Sequence, residues 1–390
     1  MYETREIYVN MGPQHPSTHG VMKLELVLDG EYVVECNPVI GQLHRGLEKL
    51  AENMLYSQFI PFTDRLDYLS GAYNNLAYVL AVEKLLGIEA PERAKYIRVI
   101  MAELSRIASH LVALGSMGLD LGAWTIMLYT FRDRELILDL FEMYCGARMT
   151  LNCFRIGGTS YDLPPGFEEK LREFLAVFPK RVDDYEALLT KNPIWLARTR
   201  DVGVVSAEDA IAYGLTGPNL RASGVAWDMR KAYPYEVYDR LEFNIPVGTK
   251  GDVFDRYMVR VQEMRESAKI IAQALEQLPD GPTLLDLPGV TLPPKEEFPH
   301  NFPAVVRHFH TLVEGFSPPQ KEIYVGVENP KGELGFYIVS DGTGYPYRLK
   351  IRAPAFVSCG IFSKICKGVL LPDLVAIIAS FDPVMGEIDR

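Results

Sequence analysis

Any chemistry in this chain must come from a few polar residues set among apolar ones. His15 and His19 stand four residues apart, a spacing that on a helix would pair two metal ligands. Pro16 lies between them and rules that helix out. No third ligand stands nearby, whereas a zinc site needs at least three. His15 reads as a residue that caps backbone groups in a tight turn. His19, beside Gly20, sits where a side chain could project into a cavity. Arg65, Asp67 and Tyr68 offer a cation, a carboxylate and a phenol within one helical turn. Asp120 lies in the apolar run Gly118-Leu119-Asp120-Leu121-Gly122. An isolated buried carboxylate is costly, so Asp120 needs a partner or a raised pKa.

The five cysteines, Cys36, Cys145, Cys153, Cys359 and Cys366, form no Cys-x-x-Cys pair. Scattered in this way they read as reduced, buried thiols. They cannot ligate an iron–sulfur cluster or a structural zinc unaided, because both need closely spaced thiolates. We therefore expect no metal site and no cofactor bound by this chain.

The elements that must position these residues can be read from periodicity. Residues 22–28 and 31–36 alternate as strands about Asp29-Gly30, a strong hairpin signal, and residues 5–10 read as a further strand. The Pro- and Gly-rich segment 12–20, which carries both histidines, is a loop. A helical period then runs through residues 65–86, 91–114, 125–149, 166–190 and 252–278. Gly87 closes the first of these and Pro91 opens the second. Residues 217–251 and 279–303 are long irregular connections. Strands return at 322–327, 335–340 and 347–352, followed by an apolar helix at 371–381. The expected fold is α+β. A central helical bundle (46–280) is embraced by antiparallel β structure from an N-terminal region (1–45) and from a β-rich C-terminal region with its final helix (281–390). All of it forms one domain.

The 390 residues are 48% hydrophobic and 23% charged, which excludes a largely disordered chain. A net charge of −11 argues against a nucleic-acid surface. No run of 18 apolar residues could span a bilayer, and the first residues lack an apolar signal core. A soluble, cytosol-facing chain is expected. Composition and spacing alone stop there.

The string Asn10-Met11-Gly12-Pro13-Gln14-His15-Pro16-Ser17-Thr18-His19-Gly20-Val21 resembles the signature of the 49-kDa subunit of respiratory complex I. The resemblance continues through His44-Arg45-Gly46-Leu47-Glu48-Lys49 and Glu103-Leu104-Ser105-Arg106-Ile107-Ala108-Ser109-His110. It runs on through Leu220-Arg221-Ala222-Ser223-Gly224, Lys231-Ala232-Tyr233-Pro234-Tyr235 and Lys331-Gly332-Glu333-Leu334-Gly335 to Gly386-Glu387-Ile388-Asp389-Arg390. These motifs, in this order, cover essentially the whole chain. The family is in turn similar to the large subunit of nickel–iron hydrogenases, which hold nickel with four cysteines in two motifs. In the corresponding contexts this chain has Asp67, Ser70, Val384 and Glu387. Without those soft thiolates it could not select such a metal, so the resemblance implies the scaffold without the nickel.

What the resemblance implies in place of the metal is a quinone headgroup. His19 and Tyr68 would hold its two sides, and Asp120 would pair with His19, orienting the ring and favouring imidazolium. A [4Fe–4S] cluster and FMN would belong to partner subunits, with Arg45 and Arg65 near that cluster. The expected partners are the terminal-cluster subunit, a 30-kDa-type subunit and a quinone-channel membrane subunit. The chain would act only as part of a proton-translocating NADH:quinone oxidoreductase, attached peripherally to the cytoplasmic side of the cell membrane. Many family members carry histidine where this chain has Thr150. Its absence implies a lower and less pH-dependent cluster potential, suited to a low-potential quinone such as menaquinone. Two other readings are a non-catalytic docking scaffold and a related dehydrogenase using a donor other than NADH.

Overall fold

The computed structural model describes residues 6–14 and 20–390. Residues 1–5 and 15–19, including His15 and His19, lie outside the described residues.

The N-terminal sheet is antiparallel in the order β1 (Glu6–Met11), β2 (Lys23–Asp29), β3 (Tyr32–Val39). Asp29 pairs with Tyr32, so the two-residue turn is Gly30-Glu31, one residue later than the sequence suggested. Gly30 takes the left-handed φ of 62° that such a turn requires. Two further residue pairs, β4 (Phe154–Arg155) and β5 (Gly158–Thr159), make a minimal ribbon. The C-terminal sheet runs β6 (Lys321–Asn329), β7 (Gly332–Ser340), β8 (Arg348–Arg352), again antiparallel.

Four long helices form the middle of the molecule: Glu92–Asp120, Trp124–Cys145, Phe167–Leu189 and Val253–Glu276. The first and third each pack against the second and fourth. The Gly71–Leu86 helix lies between this bundle and the C-terminal sheet, touching both β6 and β7. It is buried on nearly every side, which is why it carries so little polar surface. The Leu371–Phe381 helix packs on Glu92–Asp120 and Val253–Glu276. The expected α+β architecture is therefore the observed one.

The two ends of the chain are stitched together. Val33 donates its N–H to the Val369 carbonyl at 2.8 Å, and Gly368 returns a bond to the Val33 carbonyl at 2.7 Å. The N–H groups of Gly41 and Leu43 donate to the Asp389 carboxylate at 2.8 and 2.6 Å. These bonds anchor the C-terminal Met385–Asp389 helix to the segment that follows β3.

Three further expectations about elements are corrected. The helix placed over 65–86 begins at Gly71, because residues 64–70 form a polar turn. The helix placed over 91–114 continues to Asp120. The connections taken as irregular hold short helices at Gly217–Ala222 and Met229–Ala232, and a twelve-residue helix, Phe302–Val313, begins at the end of the second one.

Candidate functional site

The turn at 64–70 is built by one carboxylate. Asp67 accepts the Leu69 N–H at 3.1 Å and the Ser70 hydroxyl, and its own carbonyl takes the Asn74 side-chain N–H at 2.8 Å. Side chains of this kind compete with the helix for backbone partners. Ser70 stands at the helix start, yet it turns its hydroxyl to Asp67 instead of capping the helix. Tyr68, half-buried, projects from this turn.

A hairpin tip meets the turn from the other side. Asn329 pairs with Gly332, leaving Pro330-Lys331 as the two-residue connection between β6 and β7. Hairpin tips are normally solvated, but Lys331 is only 1% exposed. Its ammonium donates to the Ser109 hydroxyl at 2.5 Å and sits 2.5 Å from Asp382 and 4.0 Å from Asp67. Asn329 donates to Ser70 at 3.1 Å and to the Asn74 side-chain amide oxygen at 3.2 Å. Asp382 ends the Leu371–Phe381 helix with φ 53°. That left-handed backbone costs a non-glycine residue about 1–3 kcal/mol and is held by its surroundings.

The C-terminal segment closes the cluster. A Cβ on Gly386 would lie 2.4 Å from the Leu66 carbonyl, 2.8 Å from that of Arg65 and 3.3 Å from the Tyr68 ring. Only glycine permits that approach. Glu387, fully buried, accepts the Ala355 N–H at 2.8 Å with one oxygen, and its other oxygen has no hydrogen-bond partner. Burial, reinforced by the charge of Asp67, pushes the Glu387 carboxyl up to about 8, against the pull of the Ala355 N–H and Lys331. Burial and then Asp67 likewise raise the Tyr68 hydroxyl above its ordinary value. Tyr68 is therefore a phenol, not a phenolate, at neutral pH and can donate a proton or hydrogen bond. Gly20, the first described residue after His19, is close to this segment, since a Cβ there would lie 3.5 Å from Met385.

The sequence-derived candidates are thus partly gathered. Arg45 and Arg65 come together, both exposed, through a bond from the Arg45 guanidinium to the Arg65 carbonyl at 2.8 Å. Tyr68 stands beside Asp67. Asp120, half-buried, ends its helix about 16 Å along the axis from Ser109, so it is not part of the Lys331 cluster. His19 is the residue that would have to connect Asp120 with Tyr68, and it lies outside the described residues. Of the four positions corresponding to hydrogenase thiolates, Asp67, Ser70 and Glu387 border the cluster and Val384 is buried. Among the described residues no three His, Cys, Asp or Glu side chains are grouped to hold a metal ion. A cleft of about 1030 Å³, bordered by Glu83, Trp227, Tyr235, Glu236 and Tyr324, contains neither Tyr68 nor Asp120.

Sequence reasoning missed Lys331, Asp382 and an adjoining network of buried charge. Glu103 accepts bonds from Tyr73, Tyr238, Arg230, Ser267 and Arg106, all within 3.1 Å. Burial raises its carboxyl, but Arg106 and Arg230 outweigh this and hold it at about 2. Arg221 bonds Glu263 at 2.6 Å and Glu328 at 2.7 Å. The His110 Nε2–H donates to Glu263 at 2.8 Å. Burial nonetheless carries His110 down to about 4, so the ring is neutral at physiological pH. The network and the Lys331 cluster meet at the end of β6, where Glu328 belongs to one and Asn329 to the other. A signal was available: Glu103, Arg106 and His110 recur at steps of three and four among the buried apolar residues of the Glu92–Asp120 helix, marking a polar seam on a buried face.

Comparison with known proteins agrees with this architecture. Residues 120–390 match the family model described as respiratory-chain NADH dehydrogenase, 49 Kd subunit. The D subunit of the NADH-quinone oxidoreductase of Geobacter metallireducens is 57% identical over all 390 residues, covering 100% of both chains. Its Geobacter sulfurreducens counterpart, of the same name, is 56% identical over the same span, again covering 100% of both chains. In Rhizobium etli, the second of the D subunits named for NADH-quinone oxidoreductase is 53% identical over 388 residues, 99% of this chain and 96% of its own.

Proposed function

The chain belongs to the 49-kDa-subunit family of respiratory-chain NADH dehydrogenase, and on that footing we propose that it forms the quinone headgroup site of the assembled enzyme. It works as one subunit of an NADH:quinone oxidoreductase, alongside the other subunits of complex I. Among the described residues no helix is long and apolar enough to cross a membrane, which fits peripheral attachment. Our reading puts that attachment on the cytoplasmic side.

The observation that carries the reading is Tyr68, a phenol kept protonated beside a buried polar cluster. Quinone reduction takes up two electrons and two protons, and it develops negative charge on two carbonyl oxygens. A phenol that stays neutral until charge appears opposite it is suited to give one of those protons. In this reading His19, oriented by Asp120, serves the other oxygen. The electrons come from NADH through the FMN and the terminal [4Fe–4S] cluster of partner subunits. The exposed Arg45 and Arg65 pair supplies fixed positive charge of the kind that stabilises a reduced cluster nearby. The 30-kDa-type subunit and the quinone-channel membrane subunit complete the surroundings.

The test is steady-state quinone reduction by the assembled complex, with NADH oxidation by an artificial acceptor as the control for upstream electron flow. Tyr68→Phe and His19→Ala should each lower quinone turnover by on the order of 10²-fold, leaving assembly and the control reaction intact. Unchanged turnover in both variants would favour a docking scaffold instead.

A further inference from the structure

We propose that Glu387 is the proton-holding residue of the cluster beside Tyr68, and that it returns a proton to Tyr68 after the phenol has given its own to reduced quinone. The proposal rests on the quinone reading above and adds to it the source of the replacement proton.

Asp67, Asp382 and Glu387 are three carboxyl groups, each at most 3% exposed. Lys331 lies among them, and Arg260 acts on Asp382 from the Val253–Glu276 helix. Three anions against the Lys331 ammonium and the Arg260 guanidinium leave one excess negative charge where water cannot screen it, so one carboxyl group is best kept neutral. Asp67 is held by a hydroxyl and a backbone N–H, and Asp382 by the Lys331 ammonium at 2.5 Å. Glu387 has one backbone N–H on one oxygen and nothing on the other. It is the least supported as an anion, and its bare oxygen is where a carboxylic proton would sit.

The groups facing Glu387 agree with this. From the 64–70 turn come Asp67 and Tyr68, from the hairpin tip Lys331, from the end of the preceding helix Asp382, and from the Pro354–Cys359 helix Cys359. Cys359 is buried, and desolvation followed by the charge of Glu387 pushes its thiol up to about 12, so it does not compete as an acid. The value of about 8 for Glu387 means that the proton is held at neutral pH and surrendered just above it, the range suited to proton transfer at physiological pH. The Gly386 backbone next to Glu387 lies close to the Tyr68 side chain, since a Cβ there would stand 3.3 Å from the ring's Cδ1.

Two electrons delivered by the NADH dehydrogenase activity make the quinone oxygen basic. The Tyr68 O–H bond breaks and its proton forms one O–H bond of the quinol, the proton of the other coming from the His19 side. The Glu387 O–H bond then breaks, and its proton restores the phenol. The resulting carboxylate recovers a proton from solvent before the next turnover.

Glu387→Gln is the discriminating variant. The amide keeps the acceptor for the Ala355 N–H and matches a protonated carboxyl in shape and charge, but it cannot give up a proton at neutral pH. In the assembled complex, Glu387→Gln should lower kcat for quinone about tenfold or more with KM unchanged. The native complex should show an alkaline decline of kcat as Glu387 loses its proton, and Glu387→Gln should remove it. Glu387→Asp should retain most of the turnover, with that decline displaced along the pH axis. Native turnover and a native pH profile in Glu387→Gln, in a complex where Tyr68→Phe is impaired, would overturn this assignment and leave the quinone reading standing. Native turnover in both Tyr68→Phe and His19→Ala would defeat the quinone reading itself. A measurement that needs no variant to assemble is the infrared difference spectrum of the native complex on quinone reduction. It should show a deuterium-sensitive carbonyl band of a protonated carboxyl group, and its absence would also overturn the proposal.

Discussion

At the scale of single residues, buried charges without redundancy matter most. Lys331 is the ammonium that Asp382 faces at 2.5 Å. Lys331→Met would leave that carboxylate buried beside Asp67 with its closest cation gone, a loss of about 3–5 kcal/mol. Thermal unfolding of the assembled complex should show the subunit released at lower temperature; an unchanged transition would mean that the pair contributes little. Acid stability turns on His110 and Glu103. His110 falls from an ordinary 6.5 to about 4, and Glu103 from 4.5 to about 2. Both are depressed, so each contributes stability above its ordinary value and loses it as pH falls through its folded value. His110→Asn should abolish the part of the loss between pH 6.5 and 4 while leaving the part due to Glu103 below 4.5, as read by unfolding across pH. Tyr68, Asp120, Arg45 and Arg65 could be picked out of the sequence as candidates because they lie in or beside recognisable motifs. Lys331 lay in a motif too, but its role was hidden, since nothing local says that a Pro-Lys hairpin tip will be driven into a core.

At the scale of elements, the strands and long helices followed from periodicity, because one-sided burial imposes a period of two or 3.6. What periodicity could not show was a contest between side chain and backbone. The apolar stripe from Leu66 onward suggests a helix from residue 65, but Asp67 takes the N–H and hydroxyl groups around it and delays the helix to Gly71. The twelve-residue Phe302–Val313 helix was missed because prolines at 293, 294 and 303 disguise it as loop, although Pro303 sits at a helix start where proline is tolerated. One close contact between elements is that of Gly386 with the 64–70 turn. Gly386→Ala places a methyl group 2.4 Å from the Leu66 carbonyl, overpacking that costs about 1–3 kcal/mol. The C-terminal segment should become protease-sensitive and quinone turnover should fall with it. A segment as resistant as that of the native protein would show that the turn can yield.

At the scale of the whole molecule, the bundle and the two sheets hold one polar seam that runs from Glu103 and His110 through Glu328 to Lys331 and the C-terminal carboxylates. In the proposed reading the chain supplies protons and positions groups, while electrons arrive from its partners. Thr150, half-buried and following a backbone that approaches Gly71, is where that reading expects an influence on the electron supply. Restoring a titratable group with Thr150→His should steepen the pH dependence of the adjacent cluster's midpoint potential in a redox titration. An unaltered slope would show that residue 150 does not sense the cluster. The central claim is that this chain binds the quinone headgroup at Tyr68, and the most direct measurement is a structure of the assembled complex with quinone bound. A headgroup oxygen is expected within hydrogen-bond distance of the Tyr68 hydroxyl, with His19 at the opposite oxygen. A headgroup bound beyond the reach of Tyr68, in a complex competent for turnover, would contradict that claim.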